Sequence, residues 1–155
     1  MMIRKIRLVI ILAVTLTSAL ANAEVKSLCD KSESTIWSCQ TSKKIYSLCA
    51  SQDLATSVGY LQYRAGTSKN IEFRFPITLQ HPKGYFEFGL LPRGASLTFS
   101  NSEYTYYIAE PLIGQPVIEI SKAGKAVSSL QCSESTQSLT ENTTINLFKT
   151  TGVSQ

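Results

Sequence analysis

Apolar and polar residues alternate with a period of two along most of the chain beyond its first thirty residues. Glycine, proline, serine and asparagine interrupt this alternation at intervals of roughly eight to twelve residues, a spacing typical of antiparallel hairpins in a sandwich or barrel. We therefore predict an all-β fold, an antiparallel β-sandwich or barrel of about eight or nine short strands. The strands are expected in STIWSCQ, KKIYSLCAS, SVGYLQYRA, NIEFRF, GYFEFGL, ASLTFS, EYTYYIA, PVIEIS and AVSSLQC.

Two local features refine this picture. STIWSCQ and KKIYSLCAS flank a polar turn at 41–43 and are expected to pair as a hairpin. A short C-terminal helix is expected between Ser133 and Phe148, although ENTTINLF is rich in β-branched residues. The tail beyond Cys132 is rich in serine and threonine, and we expect it to be loosely held.

Each strand has two faces, because successive side chains point to opposite sides. The apolar faces are the predicted core, and they comprise Leu61, Tyr63, Ile71, Phe73, Phe75, Phe86, Phe88, Leu90, Leu97, Phe99, Tyr104, Tyr106, Ile108, Ile118 and Ile120. The opposite faces carry Tyr60, Gln62, Arg64, Glu72, Arg74, Tyr85, Glu87, Thr105, Tyr107 and Glu119. This second set is either a solvated face with Arg–Glu pairs across strands or a recognition surface, since Tyr and Arg are enriched at binding hot spots.

The start of the chain has the three parts of a secretory signal peptide in their usual order. They are the basic Arg4, Lys5 and Arg7, the apolar run LVIILAVTLTSAL and the small-residue site Ala21-Asn22-Ala23. The apolar run is shorter than the roughly 20 residues that span a bilayer. We expect a signal peptide over 1–23, a disulfide-linked β domain over 24–133 and a tail over 134–155. The mature protein would be periplasmic or secreted, with no membrane span after cleavage.

Removing the leader changes the charge of the protein. The full chain has 15 basic and 11 acidic residues, and the leader holds three of the basic ones, which leaves 12 against 11 and a net charge of +1. No block of like charges remains, so we expect no nucleic-acid partner.

Four cysteines, at 29, 39, 49 and 132, lie in this exported chain. Two disulfides are the simplest interpretation, because the paired spacings of a zinc site are absent and the chain has one histidine. We therefore expect no metal. Three pairings are possible. The predicted hairpin favours Cys39–Cys49, which would leave Cys29 to pair with Cys132.

Catalytic patterns are sparse. His81 would be the only histidine base for a nucleophilic triad, and it lies in the turn-like segment LQHPKGY. Glu72 and Glu87, expected on adjacent strands, are the best carboxylate pair for glycoside hydrolysis. No phosphate loop, dinucleotide motif or calcium loop is found. We expect a protein that is not an enzyme and that holds no cofactor.

Several segments carry a resemblance to known proteins: WSCQTSKKIYSLCAS, GYLQYRAG, IEFRFP, LTFSNSEYTYYI and the closing LQC. Together they resemble a group of small, largely uncharacterised secreted β proteins of Gram-negative bacteria. TSVGY is similar to the Ser/Gly/Tyr motif on the loop with which periplasmic lysozyme inhibitors, exported β domains of similar size, block the lysozyme cleft. The second resemblance implies an inhibitory loop containing Ser57, Gly59 and Tyr60. The alternative is that Gly59 forms a bulge at the entry to a strand.

The expected function is an exported, non-enzymatic binding protein with a protein partner in the periplasm or outside the cell. Its most specific form is an inhibitor of a cell-wall hydrolase such as lysozyme, with the 57–60 loop supported by Arg64 and Tyr85, and with Tyr107 as a further binding residue. The alternative is a structural or accessory module that interacts with the cell envelope.

Overall fold

Ten antiparallel strands and one short helix make up residues 27–154, the part of the chain that the computed structural model describes. They are β1 Glu33–Gln40, β2 Ile45–Ser51, β3 Leu61–Thr67, β4 Asn70–Phe75, β5 Glu87–Leu91, β6 Gly94–Asn101, β7 Tyr104–Pro111, β8 Val117–Lys122, β9 Lys125–Gln131, β10 Glu134–Thr136 and α1 Asn142–Thr150. The expected leader over 1–23 and the expected mature start at Glu24 lie outside the described residues. Within 27–154, no helix has the length and apolar character needed to cross a membrane.

The strands form two five-stranded sheets in the orders β10-β1-β2-β3-β4 and β5-β6-β7-β8-β9. Strands that follow one another within a sheet are joined mostly by short turns, as the alternating pattern and its turn signals predict. The predicted hairpin of β1 and β2 is present, with Gln40 opposite Ile45. The all-β sandwich with a short C-terminal helix is confirmed.

Aromatic rings from both sheets form the centre of the core. The Phe99 ring stacks on Phe75 and on Tyr106, with ring centroids 4.7 Å apart in each pair, and Phe73 stacks on Tyr106 at 5.3 Å. Most of the predicted core is confirmed, but Leu90 and Tyr104 are exposed. Both lie close to the end of a strand, where the alternation continues but the layer of buried side chains does not.

The C-terminal tail is part of this core, which corrects the expectation of a loosely held segment. β10 pairs with β1, and the Phe148 ring of α1 lies 4.8 Å from that of Phe88. Leu139 and Val153 are buried as well, and the Phe88 N–H donates to the Val153 carbonyl oxygen at 2.9 Å. The tail therefore packs against the β domain instead of extending from it.

The disulfides join Cys29 to Cys49 and Cys39 to Cys132, so the predicted pairing is wrong. The strand register gives the reason. Cys39 lies opposite Tyr46, and Cys49 follows Tyr46 by three positions, so the two cysteines project from opposite faces of the sheet. Cys39 points inward to the end of β9, and Cys49 points outward to the segment that precedes β1.

Burial predicts the order in which the two bonds are reduced. Cys39 and Cys132 are both buried, whereas Cys29 is half-buried. We expect a mild reductant to open Cys29–Cys49 first, because thiol–disulfide exchange requires access to a sulfur. Alkylation after graded reduction, followed by peptide mapping, measures the order. In urea the two bonds should be reduced at similar rates, and earlier labelling of Cys132 in the folded protein would contradict the prediction.

Candidate functional site

The segment from Ser27 to Ser32 covers the outer face of the first sheet, the face turned away from the second sheet. The Leu28 N–H donates to the Ser47 hydroxyl at 3.0 Å, and the Leu28 side chain is buried. The Cys29–Cys49 bond links the same segment to β2. A face that the alternating pattern predicts to be solvated is therefore partly covered by the chain itself.

Arg64 lies beneath this segment and is only 4% exposed. Its Nη1 and Nη2 donate to the two carboxylate oxygens of Glu33, each at 2.7 Å. Nε donates to Gln62 Oε1 at 2.8 Å, and Nη1 also donates to the Leu28 carbonyl oxygen at 3.0 Å. With its donors used internally, Arg64 supports the structure and is not available to a partner, contrary to its expected exposure.

Tyr60 shares the same carboxylate. Its hydroxyl donates to Glu33 Oε1 at 2.6 Å, and this hydrogen bond raises the pKa of Tyr60 to about 12. Burial acts to raise the pKa of Glu33, but hydrogen bonds from Arg64 and Tyr60 outweigh burial and hold that pKa below its ordinary value of 4.5. We call Glu33, Tyr60, Gln62 and Arg64 the polar anchor, because they hold the start of β3 and the loop before it.

The loop over 52–60 is shaped by Gly59. This residue has φ +81°, and a Cβ there would lie 2.5 Å from Leu54 Cα. No side chain fits that position, so glycine is required. The Tyr60 N–H donates to Ser51 Oγ at 3.0 Å, and the Ala55 N–H donates to the Val58 carbonyl oxygen at 3.1 Å. These bonds close the loop on itself and leave its tip, with Ser57, exposed.

The longer loop over 76–86 runs beside the first one. Gln62 Nε2 donates to the Pro76 carbonyl oxygen at 2.7 Å. The nitrogen Nε2 of His81 lies 2.9 Å from the Ala55 carbonyl oxygen, and the Tyr85 hydroxyl donates to Gln80 Oε1 at 3.0 Å. His81 thus links the two loops.

The two loops together expose a group of apolar side chains. Ile77 is 83% exposed, although isoleucine is among the most commonly buried residue types. We define the loop surface as Ser57, Val58, Ile77, Leu79 and Tyr85, all of which are exposed. Sequence reasoning found Ser57 and Tyr85 but missed Val58, Ile77 and Leu79, because apolar residues outside strands have no periodicity to mark them. The one available signal was the apolar content of FPITLQHP between turn residues.

Other predicted site residues lie elsewhere. Tyr107 is on β7 of the second sheet, opposite Glu119. Glu72 is in β4 of the first sheet and binds Lys44 at 2.6 Å, whereas Glu87 begins β5 of the second sheet. The expectation that Glu72 and Glu87 lie on adjacent strands is therefore wrong. The expected Arg–Glu pairing also differs, since Arg64 lies opposite Arg74.

One group of potential metal ligands comes together within residues 27–154. The ligand atoms of Cys29, Glu33 and Cys49 lie within 4.8 Å of one another. The two sulfurs are joined to each other, and both oxygens of Glu33 accept hydrogen bonds from Arg64. Because metals bind thiolates and not disulfide sulfurs, this group is a structural junction.

No family model matches the chain, and no match was found among the curated proteins or the solved structures. The similarity to lysozyme inhibitors stays a prediction from TSVGY. The geometry of the two loops is therefore the main basis for assigning a function.

Proposed function

We propose that the protein is an exported, non-enzymatic binding protein that docks on a protein partner through the loop surface. The observation that carries this proposal is the exposure of Val58, Ile77, Leu79 and Tyr85 on two loops that the His81–Ala55 hydrogen bond joins. Exposed apolar side chains on neighbouring loops are a feature of protein interaction sites. Loops that are ordered before binding also lose less conformational entropy when a complex forms.

Two disulfides support the exported part of the proposal. Such bonds form and persist in oxidising compartments and are rare in the cytosol. Both bonds join segments that are distant in sequence, with separations of 20 and 93 residues. Their contribution to the fold therefore depends on an environment that keeps them oxidised.

The partner that we propose is a cell-wall hydrolase of the lysozyme type. The tip of the 52–60 loop, with Ser57 and Val58, would enter the enzyme's cleft, and Ile77 and Leu79 would contact its rim. Tyr60 and Arg64 then contribute indirectly: they hold the loop in place through Glu33 and make no contact with the enzyme. With a net charge of +1 after the leader, binding would depend on apolar contact more than on electrostatic attraction.

A lysis assay with the mature protein tests the proposal against goose-type, invertebrate-type and chicken-type lysozymes. We expect inhibition of at least one type, and we expect Ile77→Asp to raise the concentration for half inhibition about tenfold or more, as at an interface hot spot. Ile113→Asp is the matched control, because Ile113 is 94% exposed on the loop between β7 and β8, outside the loop surface. Absence of inhibition of every type, or equal loss with both variants, would contradict the proposal.

A second exposed apolar group favours the alternative of an envelope-interaction module. It comprises Leu90 and Leu91 at the end of β5 and Leu112 and Ile113 in the loop after β7. The Leu112 N–H donates to the carbonyl oxygen of Arg93, in the turn after β5, at 3.0 Å. If this group forms the principal interface, Ile113→Asp should abolish a stable complex with an envelope protein and Ile77→Asp should preserve it. The two variants therefore separate the two candidate functions.

A further inference from the structure

A cleft of about 890 Å³ opens between the two sheets, away from the loop surface. Its walls are mainly apolar and aromatic: Tyr46, Tyr63, Ala65, Phe73, Tyr106, Ile120 and Leu130. The turn between β1 and β2 and the end of β9 form its rim. Ala65 contributes only a methyl group among these large side chains, which leaves room between the sheets. The volume lies within the range of roughly 300 to 1,000 Å³ that is typical of small-molecule sites.

The Tyr63 hydroxyl is the most informative polar group in this cleft. Tyr63 is 1% exposed and lines the cleft, yet its hydroxyl has no hydrogen-bond partner among residues 27–154. Burial raises the pKa of Tyr63 well above its ordinary value of 10.0, so the hydroxyl is a neutral donor at physiological pH. Among the described residues, the side-chain atom that is buried without a hydrogen-bond partner is Trp37 Nε1, so the Tyr63 hydroxyl is accessible to solvent in the cleft. A ligand oxygen there can accept its hydrogen bond in place of water.

One lysine at the rim has no carboxylate partner. Lys43 is exposed and forms no ion pair with any described residue, whereas its neighbour Lys44 is bound to Glu72 at 2.6 Å. None of the residues that line the cleft carries a carboxylate side chain. The cleft therefore combines apolar walls, an interior hydrogen-bond donor and an unneutralised cation at its entrance.

We infer that this cleft binds a small amphipathic carboxylate. The apolar body lies against the rings of Tyr46, Phe73 and Tyr106, an oxygen of the ligand accepts a hydrogen bond from Tyr63, and the negative charge lies toward Lys43. Aromatic walls bury the apolar body, and the few polar groups fix its orientation, as is general for such sites. This inference is independent of the loop surface, which faces a different part of the protein.

Displacement of a fluorescent probe tests the inference. The probe is anilinonaphthalenesulfonate, an amphipathic anion whose fluorescence rises in apolar sites, and the competitors are decanoate and its neutral analogue decanol. We expect saturable probe binding, displacement by decanoate and much weaker displacement by decanol. Lys43→Gln should weaken decanoate binding about two- to fivefold, the range of a solvent-exposed ion pair. Leu130→Trp, which adds bulk to the cleft wall, should abolish binding.

Three further variants complete the test. Lys125→Gln removes a cation from the start of β9, outside the cleft, and Ile77→Asp changes the loop surface; neither should alter decanoate binding. Tyr63→Phe should weaken binding of 10-hydroxydecanoate, whose second oxygen can reach the Tyr63 hydroxyl while the carboxylate lies at the rim. It should not lower the melting temperature, because the hydroxyl has no internal partner to lose. No displacement by millimolar decanoate, equal effects of Lys43→Gln and Lys125→Gln, or loss of the probe signal in Ile77→Asp would each overturn the inference.

Discussion

Replacing Cys39 and Cys132 together by alanine is expected to lower the free energy of unfolding by about 5 kcal/mol. The bond closes a loop with a sequence separation of 93 residues, and the chain-entropy model assigns about 5 kcal/mol to a loop of that length. Because single domains are stable by only about 5 to 15 kcal/mol, this variant should be close to unfolded at 37 °C. Urea unfolding followed by tryptophan fluorescence measures the change, since Trp37 is fully buried in β1.

The other disulfide provides the matched comparison. Cys29–Cys49 closes a loop with a separation of 20 residues, for which the same model gives about 3 kcal/mol. Replacement of Cys29 and Cys49 by alanine should therefore be the milder change. A larger loss from the Cys29 and Cys49 pair would show that the covering segment, and not loop closure, dominates the effect of these bonds.

Replacing Arg64 by methionine is expected to lower the free energy of unfolding by about 3 to 5 kcal/mol, the usual cost of removing one member of a buried ion pair. Methionine keeps much of the apolar stem, so the loss comes mainly from the Glu33 carboxylate, whose side chain is 2% exposed and would lack its cation. The Gln62 and Leu28 oxygens would lose their donor as well. Thermal and urea unfolding of the variant measure the effect.

Arg74→Met is the control for this experiment. Arg74 lies opposite Arg64 in β4 and is exposed, so its replacement should change stability by less than about 0.5 kcal/mol. Adding Glu33→Leu to Arg64→Met should recover part of the loss, because it removes the unpaired carboxylate. Equal stability of Arg64→Met and Arg74→Met would contradict the role assigned to the polar anchor.

The pH dependence of stability is a second test of the role of the Arg64–Glu33 pair. The pKa of Glu33 is lower in the folded protein than its ordinary value of 4.5, so the stabilising contribution is complete above that value. The contribution is lost as the pH falls through the folded-state pKa, where the carboxylate becomes protonated. The difference in stability between the wild type and Arg64→Met should therefore be largest at neutral pH and shrink in acid.

The periodicity of the chain is sufficient to predict the strands and most of the core. Alternation alone assigns Phe73, Phe75, Phe86 and Phe99 to the inner faces, and they pack there because the second sheet supplies partners. Leu90 and Tyr104 show the limit of this reasoning. Alternation describes a strand and carries no information on where the facing sheet stops.

The predicted disulfide pairing is wrong for a reason that only the register of β1 and β2 shows. Proximity within a hairpin made Cys39–Cys49 attractive, but one bond requires both side chains on the same face. The turn sets this register by placing Gln40 opposite Ile45, so that Cys39 lies opposite Tyr46 and Cys49 projects from the other face. Pairing therefore depended on the detailed geometry of β1 and β2.

The site was less predictable than the fold. Because Arg64 lies on the polar face of β3, the alternating pattern predicts that its side chain is exposed. In the structure the segment from Ser27 to Ser32 crosses that face, and Glu33 neutralises the charge of Arg64. A segment that folds over a sheet leaves no period in the sequence. The loop surface and the cleft likewise depend on which elements meet in space, which strand patterns do not specify.

The packing of the tail has a consequence for the timing of folding. Leu139, Phe148 and Val153 complete the core, and Cys132 is the partner of Cys39. These residues leave the ribosome after all nine strands of the main body, so a nascent chain cannot close its core before they emerge. Until then the strands would remain incompletely packed, which is the condition that a translocation channel requires of the chains that it transports.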